Sequence, residues 1–285
     1  MQTFEPIAHP VTLKSEQRTI TWGRADQWNL FAGPDILEDE GMALEVAQEL
    51  KKQTEQANVP WVFKCSYDKA NRQSLESFRG PGKKQALKTL EKIKATVGCA
   101  LLSDVHETIE IDWAKDVLDV IQIPAFLCRQ TDLIVEAAQT GKVLHLKKGQ
   151  FVAPSGMKSA AEKAKAMGND KVLLCDRGTF FGYGRLVNDF MGVLEMRSFG
   201  YPVIVDVSHS TQLPGAGASG ASSGGNRELS LPLARAALGL GVDGIFLETH
   251  PDPDNALCDG PSSYRLADIP EFLNSLNRVF TAHRQ

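Results

Sequence analysis

The sequence lacks most of what marks a secreted, membrane-spanning or nucleic-acid-binding protein. Cysteine is sparse: Cys65, Cys99, Cys128, Cys175 and Cys258 are odd in number, scattered, and never form a CxxC pair. That excludes a disulfide framework or a zinc knuckle and implies a reducing compartment. No apolar run is long enough to cross a bilayer. The opening MQTFEPIAHP carries Glu5 and two prolines where a signal peptide needs an uninterrupted apolar stretch. Positive charge is not in excess, with 31 Lys and Arg against 35 Asp and Glu and a net charge of −4, which argues against a nucleic-acid-binding face. A low-complexity linker and internal repeats are also missing. The expectation is a cytosolic globular protein whose 285 residues suit one α/β barrel better than two ordinary domains.

What is present is alternation. Short apolar runs begin at Trp28, Trp61, Ala100, Val120, Val143, Val172, Val203 and Gly244. They are rich in Val, Ile, Leu and Phe and largely apolar, as strands buried on both faces are. Helical spacing separates them: Leu87, Leu90, Ile93 and Val97 recur before Gly98, which sits where a C-cap glycine belongs, and Leu273, Leu276 and Phe280 mark the last helix. Eight strand–helix units predict a (β/α)8 barrel over residues 28–285, with an open doubly wound sheet as the alternative. Residues 1–27, with the alternating RTITW, predict a hairpin over the barrel's N-terminal end. The Gly/Ser/Ala-rich stretch Leu213–Asn226 exceeds a barrel turn and reads as an active-site lid or a disordered insertion.

In α/β barrels function gathers on the loops after the strands. Those positions hold Lys64, Ser66, Lys69, Asn71, Arg72 and Arg79; Asp104 and His106; Arg129, Gln130 and Asp132; Lys147, Lys148 and Gln150; Asp176 and Arg177; Asp206 and His209; and Glu248, His250 and Asp259. Any one of them alone reads equally well as a solvated charge or a structural ion pair. As a set they read differently, because Lys64 and Lys147 lie inside apolar strands where a charge is costly unless paired or bound to a ligand. Clustered Lys and Arg suit phosphates and carboxylates. His209, Glu248 and Asp259 form a second corner, of metal ligands or of acid–base groups. The residues alone therefore predict a barrel enzyme for small, highly anionic substrates, and leave the reaction open.

The segments KCSYDKANRQS, FRGPG, SDVHE, IQIPAFLCRQTDL, KKGQFVAP, CDRG, DVSHSTQ and CDGPS together resemble the 3-deoxy-D-manno-octulosonate 8-phosphate synthase family, from about residue 28 to 270. The resemblance implies condensation of phosphoenolpyruvate with arabinose 5-phosphate, in the cytoplasm, toward the Kdo sugar of lipopolysaccharide or of plant pectin. Carried over by position, it implies that Lys64, Lys147, Gln150, Arg177 and the backbone near Ala125 and Phe126 hold phosphoenolpyruvate. Lys69 would polarise the aldehyde, with Ser66 and Asn71 nearby and Arg72 and Ser74 at the sugar phosphate. Arg129 would reach that phosphate across a subunit boundary, implying a homotetramer. Asp104 and His106 would stand between the substrates, and His209, Glu248 and Asp259 would direct water. No nucleic acid or membrane partner is implied.

One position departs from the family pattern. Members that use a divalent metal carry Cys with His, Glu and Asp, and metal-free members carry Asn in place of that Cys; this chain has Asp35. Asp35 with His209, Glu248 and Asp259 could form an oxygen-rich site for Mn2+ or Mg2+, or Asp35 could stand in for Asn. The CDG wording at Cys258–Gly260 resembles the metal-free type, and the expectation is that no cofactor is required. Three other functions compete: heptulosonate 7-phosphate synthesis from erythrose 4-phosphate, a non-catalytic sugar-phosphate-binding barrel, and a Schiff-base aldolase using Lys64 or Lys147.

Overall fold

The computed structural model describes residues 7–14, 19–72, 74–213 and 224–283. All eight apolar runs are strands of one parallel sheet: β3 (Asn29–Gly33), β4 (Trp61–Lys64), β5 (Ala100–Asp104), β6 (Val120–Ile123), β7 (Val143–Lys147), β8 (Val172–Asp176), β9 (Val203–Asp206) and β12 (Gly244–His250). Each pairs with the next in chain order, and β12 pairs with both β3 and β9, so the sheet closes into a barrel. The open-sheet alternative is excluded. A short strand β13 (Tyr264–Arg265) adds in parallel to β12 outside the ring.

Helices α1 (Glu40–Gln56), α2 (Lys83–Val97), α3 (Thr108–Ala114), α4 (Thr131–Gln139), α5 (Pro154–Ala166), α6 (Phe190–Ser198), α7 (Ser230–Gly239) and α8 (Ile269–His283) lie between and after the strands. Their apolar stripes cover the barrel's outer face. Leu87, Leu90, Ile93 and Val97 of α2 are buried as the spacing predicts, and Gly98 ends that helix in the left-handed region at φ 69°. Asp39 caps α1 by accepting a hydrogen bond from the Met42 amide at 2.9 Å. None of these helices is long and apolar enough to cross a membrane.

An antiparallel hairpin, β1 (Val11–Lys14) with β2 (Thr19–Trp22), precedes the barrel. Its Val11, Ile20 and Trp22 pack into a core with Phe31, Val62, Ala100, Val120, Val143, Leu173, Ile204 and Phe246. Most of these come from the first halves of their strands, so the hairpin plugs the barrel's N-terminal mouth. Trp22 stacks on Phe31 at 5.5 Å between ring centroids. With one end plugged, the opposite end is left for a ligand.

Two residues at each edge of the Gly/Ser/Ala-rich stretch pair as β10 (Gln212–Leu213) and β11 (Gly224–Gly225). Residues 214–223, which carry the expected lid, lie outside the described residues.

Candidate active site

A cavity of about 540 Å3 opens at the C-terminal ends of the strands. Gly33 ends β3 beside the Lys64 backbone so closely that any Cβ there would run into the Lys64 carbonyl. That approach brings Pro34 and Asp35 over the end of β4. Lys64 is fully buried, and its ammonium donates to the Asp35 carbonyl at 2.6 Å and to Glu248 Oε1 at 2.7 Å, with Asp35 Oδ1 at 3.4 Å. Lys69 forms a second ion pair with Asp35 Oδ1. Burial alone would raise the Asp35 carboxyl, but the Lys69 and Lys64 ammoniums outweigh it and hold it well below the usual carboxylate range. Burial also works against the charge on Lys64 and Lys69, yet Glu248 and Asp35 outweigh it and raise both. Both lysines are ammonium ions at neutral pH.

Across the barrel, Lys147 lies 2.7 Å from Asp206 Oδ2 and 4.0 Å from the centre of the Phe246 ring, a cation–π contact. Asp206 also lies 2.8 Å from His209 Nδ1 and accepts from the backbone amides of Ser208 and His209 at 3.1 and 2.8 Å. Burial lowers the His209 ring from its ordinary value, so it is neutral at pH 7. The carboxylate beside Nδ1 holds the remaining proton there and leaves the Nε2 lone pair free. That nitrogen faces Glu248 Oε1 at 3.5 Å and Asp259 Oδ2 at 4.0 Å. Gln212 ties this corner to a cation: it accepts from Arg177 Nη2 and donates to Asp259 Oδ2, each at 2.5 Å.

The cavity wall brings together most of the residues the sequence singles out: Lys64, Lys69, Asn71, Arg72, Asp104, His106, Ala125, Phe126, Lys147, Gln150, Arg177, His209, Glu248 and Asp259. Ser66 stands behind the wall and donates to Asp104 Oδ1 at 2.5 Å. Asp35 is buried beneath it. Ser74 is outside the wall, where its hydroxyl accepts from the Glu76 amide at 3.3 Å. Arg129 is exposed and, within one chain, is not part of the wall. Lys148 and Arg79 turn elsewhere, toward Asp176 at 3.4 Å and Asp68 at 2.5 Å. The facing cations thus come from three strand ends, after β4, β7 and β8, which is fewer than the sequence suggests. Gln212 and Gln122 also line the cavity, unforeseen as individual residues. Gln212 belongs to the DVSHSTQ segment, and its helical-turn spacing from His209 was the available signal.

In this corner of the cavity four side chains could hold a divalent ion. One ligand atom from each of Asp35, His209, Glu248 and Asp259 lies within 4.8 Å of the others. Among the described residues, Asp35 Oδ2 and Glu248 Oε2 are buried without a hydrogen-bond partner. Three carboxylates and an imidazole fit Mn2+ or Mg2+ and offer no thiolate to a softer metal.

Residues 9–285 match the model of the DAHP synthetase I family. A protein of Geotalea uraniireducens named 2-dehydro-3-deoxyphosphooctonate aldolase is 50% identical over 250 residues, 88% of this chain and 91% of its own length. Proteins of the same name from Geotalea daltonii and Legionella pneumophila are 51% and 50% identical, covering 88% and 90% of this chain. With that agreement over nearly the whole barrel, and a cavity walled by the residues the family resemblance selects, the chain belongs to the DAHP synthetase I family, among the 2-dehydro-3-deoxyphosphooctonate aldolases.

Proposed function

We propose that this barrel condenses phosphoenolpyruvate with D-arabinose 5-phosphate and water, giving 3-deoxy-D-manno-octulosonate 8-phosphate and inorganic phosphate. The observation that carries the reading is the pairing, in one cavity, of five cations (Lys64, Lys69, Arg72, Lys147 and Arg177) with a neutral imidazole beside two carboxylates. Two phosphorylated substrates demand the first, and addition of water demands the second.

In this reading Lys147, Arg177 and Gln150, with the backbone at Ala125 and Phe126, bind phosphoenolpyruvate, while the buried Lys64 adds its field. Asn71, Arg72 and Ser74 take the sugar phosphate, joined by Arg129 of a neighbouring copy in a homotetramer. Exposed Phe126, Phe151 and Phe181 on the same rim support such an assembly. C3 of phosphoenolpyruvate attacks the aldehyde carbon, and the ammonium of Lys69 stabilises the new alkoxide. Positive character is left at C2. Water adds there, giving its proton to His209 Nε2, with Glu248 and Asp259 orienting it. The hemiketal phosphate then breaks its C–O bond: the C2 hydroxyl becomes the ketone, its proton leaves with the phosphate, and the proton taken up by His209 is returned to the alkoxide, which becomes a hydroxyl. Cytosolic chemistry is supported by five free thiols.

A divalent ion held by Asp35, His209, Glu248 and Asp259 would supply a Lewis acid beside the water. The charges argue that none is required, because Lys64 and Lys69 already face Asp35 and Glu248 as ammonium ions. Protonated lysines also make poor Schiff-base nucleophiles, so borohydride should trap no adduct. The test is phosphate release with each aldose before and after dialysis against EDTA. Turnover with arabinose 5-phosphate is expected to survive the chelator. A preference for erythrose 4-phosphate would move the chain to the heptulosonate reaction, no release with either would make it a binding protein, and loss restored by Mn2+ would make the metal essential.

A further inference from the structure

Behind the cavity wall, between β5 and α3, lies a buried polar chain that the proposed reaction does not use. His106 lines the cavity, and its ring is clamped between two carboxylates. Nε2 is 3.0 Å from Asp104 Oδ2 and Nδ1 is 3.2 Å from Glu110 Oε2. A neutral imidazole has one N–H and one lone pair, so either tautomer would point a lone pair at a carboxylate. Only the doubly protonated ring satisfies both contacts.

Glu110 is itself fixed from several sides. Its Oε2 accepts from the Tyr67 hydroxyl at 2.6 Å and from the His106 backbone amide at 2.8 Å, and its Oε1 pairs with Lys83. It is 1% exposed and is not part of the cavity wall. The groups facing His106 are Asp104 from β5, Glu110 from α3, and the Tyr67 ring edge-on at 6.0 Å. Beyond them stand Lys83, then Asp68 with its partner Arg79, and on the cavity side Lys69 and Lys64 act on Asp104.

Building on the reaction proposed above, we propose that Glu110 is a positioning residue that holds the His106 ring, oriented and cationic, in the wall between the two anionic substrates. Tyr67 and Lys83 keep Glu110 in place, so the charge offered to the substrates depends on residues that never touch them. Burial opposes the charge on His106, but hydrogen bonds to Asp104 and Glu110 outweigh it and raise the ring to about 9. The cation therefore persists through neutral pH and is lost as pH rises through that value.

Two measurements test this. In the unaltered protein, NMR titration of 13C-labelled histidine, with His106 assigned by its loss in His106→Gln, should show a doubly protonated ring at pH 8. A neutral ring there overturns the proposal, whether or not any aldose is turned over. In Glu110→Gln, the alkaline limb of kcat/KM should move at least one pH unit lower. The loss relative to the unaltered enzyme should then be at least about threefold greater at pH 8.5 than at pH 6, and Tyr67→Phe should move the limb in the same direction by less. A loss equal at both pH values would assign Glu110 a structural role only. Failure of the unaltered enzyme to release phosphate would count against the proposed reaction, leaving the NMR result to decide the state of His106.

Discussion

Asp206 is the residue through which most of the cavity's second corner is organised, although it does not line the wall. It is fully buried at the end of β9 and pairs with Lys147 and His209 together. Burial would raise its carboxyl, but His209 and Lys147 outweigh that and hold it far below the carboxylate range. Asp206→Asn keeps the shape, removes the charge, and lets the amide hydrogen-bond the imidazole in either tautomer. His209 then loses its fixed lone pair, and Lys147 is left without its counter-charge. We expect kcat to fall by about 10²- to 10⁴-fold, the range for a displaced acid–base group. Breaking a buried pair also costs about 3–5 kcal/mol of stability, so turnover should be normalised to folded protein by circular dichroism. A loss of less than tenfold would separate His209 from the chemistry. This residue was visible in the sequence as an acid at a strand end. Its pairing with Lys147 was not, because the two meet across strands whose register only the closed barrel fixes, whereas His209 lies three residues on in the same loop.

At the scale of elements, legibility followed burial. The eight barrel strands stood out because a strand covered on both faces needs apolar residues at nearly every position, and all eight runs fall in the ring. The hairpin was legible from alternation in RTITW, since only one of its faces is buried. Short 3-10 turns such as Ala125–Leu127, and the added strand β13, were not, because two or three residues carry no period. The same limit hid the network around Glu110: Tyr67 and Lys83 come from the β4–α2 unit and His106 and Glu110 from the β5–α3 unit, and only the fold brings the two together. The plug itself can be tested. Trp22 is fully buried and stacks on Phe31 far from the cavity. Trp22→Ala should cost about 3–5 kcal/mol, lowering Tm by roughly 6–20 °C for a domain of this size. Turnover at 25 °C should be nearly unchanged. A normal Tm would mean that the hairpin is not part of the cooperative core, and a collapse of kcat in folded protein would mean that it shapes the cavity.

Two histidines inside the same barrel are shifted in opposite directions, and together they set how the whole molecule responds to pH. His145 is fully buried between Phe31 and Phe246, at 5.2 and 5.8 Å between ring centroids, and neither ring nitrogen has a hydrogen-bond partner among the described residues. Burial lowers it to about 3. Between pH ~6.5 and that value the unfolded chain binds a proton that the folded protein refuses, so stability falls as pH falls, by about 1.4 kcal/mol per pH unit. His209, also lowered, adds to the slope. Asp243, raised to about 6 by burial, opposes it with one proton above pH ~4. Below that, Asp104 and Asp206, held low by His106 and by His209 with Lys147 despite burial, steepen the loss again. His106 works from the other side: raised to about 9 despite its burial, it contributes stability that is complete below pH ~6.5 and disappears as pH climbs through 9. Denaturant unfolding across pH 4–9.5 should therefore give a maximum near pH 6.5. His145→Leu should raise stability at every pH, because two unpaired buried nitrogens are removed, and should flatten the acid limb while leaving the alkaline limb alone. An acid limb of unchanged slope in that variant would place the proton uptake on other groups and deprive His145 of this role.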